Sequence, residues 1–361
     1  MKGLSIEDQM TIEILRFPLA ILVIYIHVDL ITTNQFTYIT AGSMPVLWGG
    51  DFLISKIIAQ ISVPTFFLFS GLLLFRNGVI VSGEWKMKWK KRISSLLLPY
   101  FTWNIIYLFL VAISQFCLPS RIGHSKTIAS YDMWDFLLSF ISMDYVDNGF
   151  GVRPFLIGPI DLPLWFLRDL MVLVMLAPII QFLLFRLKGL YVLVIVGIWL
   201  LGIYKHILFI GTIGLCFFSL GAYLGIKGVG FRSIMRYGKI FIFIFLTCVI
   251  ARLCINERSC ELLEKTTTLF GVFACIAVAC HIVNKFNPRV SNIYPKSSFF
   301  VYAAHYYLSI FAIRLAISMS PKVELILFFD YLFIPIFLGI LLVQAYRLCP
   351  VLLRKILAGG R

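Results

Sequence analysis

The chain has 361 residues, 60% of them hydrophobic and only 14% charged, with a formal net charge of +15. Soluble domains carry about 25% charged residues, so a soluble fold is excluded and the bilayer is the solvent for most of these side chains. The positive balance would suggest nucleic acid in a soluble protein; here it belongs to cytoplasmic loops, the expected partners are membrane lipids, and no nucleic acid is expected.

A spanning helix needs roughly 20 mostly apolar residues. Along the chain the apolar runs predict an all-α polytopic membrane protein with ten transmembrane helices, near 13–32, 52–75, 93–118, 162–185, 190–204, 207–226, 239–256, 266–285, 297–317 and 323–346. The first run lacks a small-residue cleavage site and reads as a span, not a signal peptide. No separate hydrophilic domain interrupts the pattern, so one integral-membrane domain over 1–361 is expected, with 119–160 as its long extracytoplasmic segment. The eight Cys form no C-x-x-C pair and mostly lie in apolar runs, which assigns them to packing; no metal site is expected.

The basic residues set the orientation. Loop 76–92 holds Arg76, Lys86, Lys88, Lys90, Lys91 and Arg92; loop 186–189 holds Arg186 and Lys188. Loop 227–238 carries Lys227, Arg232 and Arg236, loop 286–296 carries Arg289 and Lys296, and the tail carries Arg347, Arg354, Lys355 and Arg361. With ten spans all of these fall on one side, which places both termini in the cytoplasm. The opposite loops carry the acids: Asp132, Asp135, Asp144, Asp147 and Asp161 in one, Glu257, Glu261 and Glu264 in another. The stretch MWDFLLSFI in 119–160 reads as a short interfacial helix, and Tyr131, Trp134 and Phe136 make that segment the expected place for choosing a second substrate.

Ionisable residues inside spans cost about 2.5–3.5 kcal/mol each at the bilayer centre, so they face protein or water. In the first span Arg16 and His27 lie eleven positions apart, close to three full turns, and therefore share a face over roughly 16 Å. Ala20 and Val23, both modest in size, lie between them and suggest a narrow apolar track. Taken singly, Arg16 could snorkel to the headgroups and His27 could simply bond a neighbouring helix; the shared face favours function. Asp29, about 200° round the helix from His27, reads as interfacial. Pro64 is expected to kink the second span, and Ser70 with Gly71 falls at the level of Arg16, where close helix packing is the plainer explanation. Lys91 and Arg92 stand at the cytoplasmic mouth, as topology requires or as a phosphate-bearing ligand would need. Trp165 suits an outer interface belt, Arg168 and Asp169 below it could bind a polar substrate or other helices, and His305 and Asp330 are further intramembrane groups. A carboxylate such as Asp330, bonded to an imidazole, would hold its tautomer and raise its basicity.

These residues together resemble the membrane acyltransferase family 3. Arg16 and His27 at ten-residue spacing, the FFLFSG stretch from Phe66 to Gly71, the basic run into Pro99 and Tyr100, LPLWFL ending at Leu167 and VYAAH ending at His305 come in that family's order over nearly the whole chain. The resemblance implies a multi-pass O-acyltransferase of the bacterial cytoplasmic (inner) membrane. It implies acetyl-CoA as the acyl donor, no metal, and a hydroxyl of an extracytoplasmic glycan (capsule, exopolysaccharide or lipopolysaccharide) as acceptor. By that likeness His27 corresponds to the essential histidine and Arg16 to its partner, while Ser70, Gly71, Lys91 and Arg92 match donor-side motifs. Many members carry a Glu shortly before a Pro at the end of the last span; here the approach to Pro350 reads YRLCP, so either Asp330 substitutes or no carboxylate is needed there.

On this reading the CoA nucleotide rests on Arg16, Lys91 and Arg92, and its pantetheine arm follows the Ala20–Val23 track to His27. That imidazole then acts as general base or carries the acyl group, two options the sequence leaves open. Trp165, Arg168, Asp169, His305 and Asp330 are the candidates for holding the acceptor. The rival readings are a transporter or flippase, with buried Arg, Asp and His as a relay, and a non-catalytic scaffold.

Overall fold

The computed structural model describes residues 4–28, 30, 39–117, 126–143, 146, 158–204, 206–207, 210–254 and 260–359. Asp29, Asp144, Asp147, Glu257 and Arg361, and much of the 119–160 segment, lie outside the described residues. The protein is an all-α polytopic membrane protein; the two-residue strands β1 (His206–Ile207) and β2 (Ile210–Gly211) form a small antiparallel hairpin beside the helices.

The helices are α1 (Ile6–His27), α2 (Pro45–Leu53), α3 (Ser62–Leu74), α4 (Trp85–Cys117), α5 (Met133–Ser139), α6 (Trp165–Leu187) and α7 (Gly189–Leu200). After the hairpin come α8 (Thr212–Lys227), α9 (Phe231–Arg236), α10 (Gly238–Cys254), α11 (Glu261–Phe286), α12 (Ile293–Met319), α13 (Glu324–Leu348) and α14 (Val351–Ala358). Among the described residues, seven helical stretches are long and apolar enough to cross a membrane: Ile6–His27, Pro45–Leu74, Ser82–Cys117, Leu162–Leu187, Glu261–Phe286, Ile293–Met319 and Glu324–Leu348. The other three expected spans correspond to α7, α8 and α10, of 12, 16 and 17 residues. Those lengths reach about 18–25 Å against a hydrocarbon core of about 30 Å, so the ten-span expectation turns on these three. Phe116 on α4, Phe243 on α10 and Phe337 on α13 are exposed apolar groups of the kind a bilayer covers.

Local sequence explains the element ends. Ser5 and Asp8 form a capping box: Ser5 Oγ accepts the Asp8 N–H at 3.0 Å, and Asp8 Oδ2 accepts the Ser5 N–H at 3.2 Å. The other Asp8 oxygen takes the Phe231 N–H at 2.8 Å, so the cap also fixes the start of α9. Pro64 does not kink a continuous helix. Between α2 and α3 the chain passes through a π turn at Ile54–Ile58 and a 3-10 turn at Ala59–Ile61, and Pro64 sits in the first turn of α3, where its missing N–H is tolerated. The basic stretch expected as loop 76–92 is also largely helical. α4 starts at Trp85, so Lys86, Lys88, Lys90, Lys91 and Arg92 ride on its first turns before the apolar part begins.

α1 runs through the bundle in contact with α3, α11, α12 and α13. Ser55 Oγ donates to the Tyr25 carbonyl at 2.8 Å and lies 2.8 Å from the Tyr331 hydroxyl, joining the α2–α3 connection and α13 to the C-terminal end of α1. α3 and α8 meet backbone to backbone. A Cβ on Gly71 would stand 2.1 Å from the Phe218 carbonyl oxygen, and one on Gly221 would stand 2.0 Å from that of Leu68. Only glycine permits that approach.

Candidate functional site

A cavity of about 380 Å³ opens where α1, α3, α4, α6 and α12 converge. α1 supplies Glu13 and Arg16, α3 supplies Ser70 and Leu73, α4 supplies Arg92 and α12 supplies Lys296. Three cations and one carboxylate thus line it, and Arg92 lies within electrostatic reach of Arg16 and Arg76. Packing three cations this closely is unfavourable by itself, and an anionic ligand removes the repulsion. The deeper wall is aromatic: Phe66, Phe166 and Tyr302 line it, with Phe166 and Tyr302 ring centroids 5.8 Å apart.

Beyond Tyr302 lies a histidine pair. His27, at the end of α1, and His305, on α12, have ring centroids 5.3 Å apart, and His27 meets the Tyr306 ring edge-on at 5.0 Å. His305 is fully buried. Its Nδ1 lies 2.7 Å from the Tyr302 carbonyl, and a carbonyl only accepts, so the proton sits on Nδ1 and Nε2 is left as an acceptor. That Nε2 is buried with no hydrogen-bond partner. A second group lacking partners stands just before α6. Asp161 is fully buried with neither carboxyl oxygen bonded, and burial pushes its carboxyl well above the usual carboxylate range.

The structure brings Arg16, Ser70 and Arg92 to one cavity and His305 to His27. It separates the other candidates. Gly71 is turned to α8 and its role is packing against Phe218. Lys91 is exposed on the neighbouring face of α4. Ala20 and Val23, expected to form a track, are fully buried in the core and do not line the cavity, which extends beside α1 along Ser70 and Phe166 as far as Tyr302. Trp165 is half-buried and packs on Phe67 with centroids 6.2 Å apart. Arg168 and Asp169 pair at 3.0 Å; Arg168 also donates to the Ile141 carbonyl at 2.6 Å, and Asp169 accepts the Gly211 N–H at 3.1 Å, so together they tie α5's exit and the hairpin to α6. Asp330 accepts the Ser320 hydroxyl at 2.5 Å and joins α13 to the end of α12; it is not the carboxylate partner of His27 that the sequence suggested.

Four residues here were not singled out in the sequence. Glu13 and Lys296 line the cavity, Tyr302 separates it from the histidines, and Asp161 stands among tyrosines. Lys296 and Asp161 were visible only as loop charges. The signal that marks them, convergence of distant segments, does not exist along a single helix.

A family model described as "Acyltransferase domain" matches residues 11–345. The chain is also similar to the succinoglycan biosynthesis protein ExoH of Rhizobium meliloti (strain 1021), with 26% identity over 227 residues, which is 63% of this chain. The chain spans 56% of that relative's length. No solved structure matches the chain.

Proposed function

The chain belongs to the acyltransferase-domain family, and on that premise we propose that it is an integral-membrane O-acyltransferase of the bacterial cytoplasmic membrane. It moves an acyl group, acetyl in the simplest case, from acyl-CoA to a hydroxyl of a surface polysaccharide. The single observation that carries this reading is the cavity that joins Arg16, Arg92 and Lys296 at one end to an aromatic wall backed by the histidine pair. A CoA nucleotide is polyanionic and matches the cationic end. Guanidinium binds phosphate through a planar fork, which suits Arg16 and Arg92 to the task. The pantetheine arm is thin and largely apolar and fits along Ser70, Phe166 and Tyr302. The similarity to a succinoglycan biosynthesis protein supports a polysaccharide acceptor.

The basic residues clustered at this end of the helices support donor entry from the cytoplasmic side, with both termini on that side. The acceptor approaches from the opposite side. Its hydroxyl oxygen attacks the thioester carbonyl carbon, the new C–O bond forms and the C–S bond breaks. His27 takes the hydroxyl proton and returns it to the departing thiolate, so the products are ester and free CoA thiol. His305, with its Nε2 open near His27, is left to accept from a neighbouring hydroxyl of the acceptor, not from the one that gives its proton to His27.

The test is His27→Ala in purified protein, followed by CoA thiol release and by ester formed on glycan. Transfer is expected to fall about 10²–10⁴-fold, while CoA binding and thermal stability stay near wild type. Near-wild-type turnover in a folded His27→Ala protein would overturn the assignment.

A further inference from the structure

We infer that Asp161 is an acceptor-binding residue whose buried carboxyl pairs with hydroxyl groups of a neutral sugar beside the hydroxyl that receives the acyl group. This rests on the acyltransferase reading and adds to it a site and a ligand chemistry. Among the described residues, Asp161 is the carboxylate both of whose oxygens are buried without a hydrogen-bond partner. A polar group left in that state costs free energy comparable to a lost hydrogen bond or more, so it calls for a partner from outside the chain.

The surroundings show why the chain itself supplies none. The Asp161 backbone N–H donates to Asn104 Oδ1 at 3.2 Å, which anchors the residue without touching its carboxyl, and the Asn104 amide donates to the Tyr100 carbonyl at 2.8 Å. Tyr100, Tyr107 and Tyr302 lie within electrostatic reach and could have capped the carboxyl. Each hydroxyl is instead committed to a backbone carbonyl: Tyr100 to Phe140, Tyr107 to Ala303 and Tyr302 to Pro163. His305 repeats the pattern, with Nδ1–H committed to Tyr302 and Nε2 open. Both unpartnered groups therefore lack donors. A sugar edge presents several hydroxyls that donate and accept, and its C–H face packs on tyrosine rings. A phosphate offers no donors and adds charge to a buried site. Tyr306 lies within electrostatic reach of Asp161 and its ring meets His27, so the carboxyl and the reacting histidine share a neighbourhood.

The experiment compares wild type, Asp161→Leu, Asp161→Ala and Asp161→Asn. Acyl ester released by mild alkali from surface glycan of cells carrying each form is quantified, and CoA binding to each purified protein is measured by calorimetry. The expected result is a loss of at least about tenfold in glycan ester for leucine and alanine, with CoA affinity within about twofold of wild type. Alanine gives the reading if leucine disturbs the fold. Asparagine keeps a carbonyl acceptor and an amide group that donates, and is expected to retain clearly more ester than either. Wild-type ester levels in Asp161→Ala overturn the proposal, as does a parallel loss of CoA affinity, which marks a structural role. Asparagine as inactive as alanine overturns it too, because charge and not hydroxyl pairing then matters. A wild type that binds no CoA and leaves no ester on glycan overturns the acyltransferase reading itself.

Discussion

Ser70 and Gly71 are neighbours in sequence, yet they serve two faces of α3 with opposite physical demands. Gly71 lies in the seam with α8, where two backbones approach until a single Cβ would overlap a carbonyl oxygen. Ser70 lies on the other face, beside the open cavity, and satisfies its own hydroxyl by donating to the Phe66 carbonyl at 2.8 Å. The seam has no room and the cavity is nothing but room. Without lipid-excluding force between helices, close backbone contact supplies the attraction that holds the bundle, and a rigid seam on one side lets the other side stay open. The pair of residues thus marks where stability ends and binding begins.

The largest effect is expected in the seam. Gly71→Ala and Gly221→Ala each force the helices apart, and because the clash is with backbone the cost is expected at or above about 3 kcal/mol, the upper end for overpacking. Thermal unfolding in detergent should drop sharply for both, while Ser70→Ala melts with the wild type. An unchanged melting temperature for Gly71→Ala would break the comparison.

A smaller effect, confined to ligand, is expected in the cavity. Arg16→Ala should melt normally yet lose about 1.5–3 kcal/mol of CoA binding, roughly a tenfold to hundredfold loss of affinity. Arg16→Lys should fall between, because it keeps the charge and loses the fork. Calorimetry at low and high salt checks both. CoA affinity unchanged in Arg16→Ala would leave the cavity without its proposed ligand contact.

The smallest effect separates two adjacent cations. Arg92 lines the cavity and Lys91 faces water. Arg92→Ala should weaken CoA clearly, whereas Lys91→Ala should change it by less than about twofold at physiological salt, where exposed charges are screened. Equal losses at the two positions would mean that the basic face acts as a diffuse field and not as a site.

By itself the sequence determined the solvent, the positions of the helices and the sign of the cavity. Long apolar runs mark spans; Arg16 and Ser70 were legible because each stands out against an apolar run, and Arg92 because it closes the basic run that leads into one. Helix period placed Arg16 and His27 on one face, but it could not say that neighbouring helices fill the space over Ala20 and Val23. Tertiary structure alone decided that α12 lies against α1, so that His305 and not Asp330 meets His27. It also decided that a loop aspartate, Asp161, is buried near Tyr100, Tyr107 and Tyr302, whose hydroxyls are already spent on backbone. The physical reason is that periodicity reports which residues share a face of one helix, while partnership depends on which helices pack together, and that is settled by shape and close contact between segments far apart in the chain.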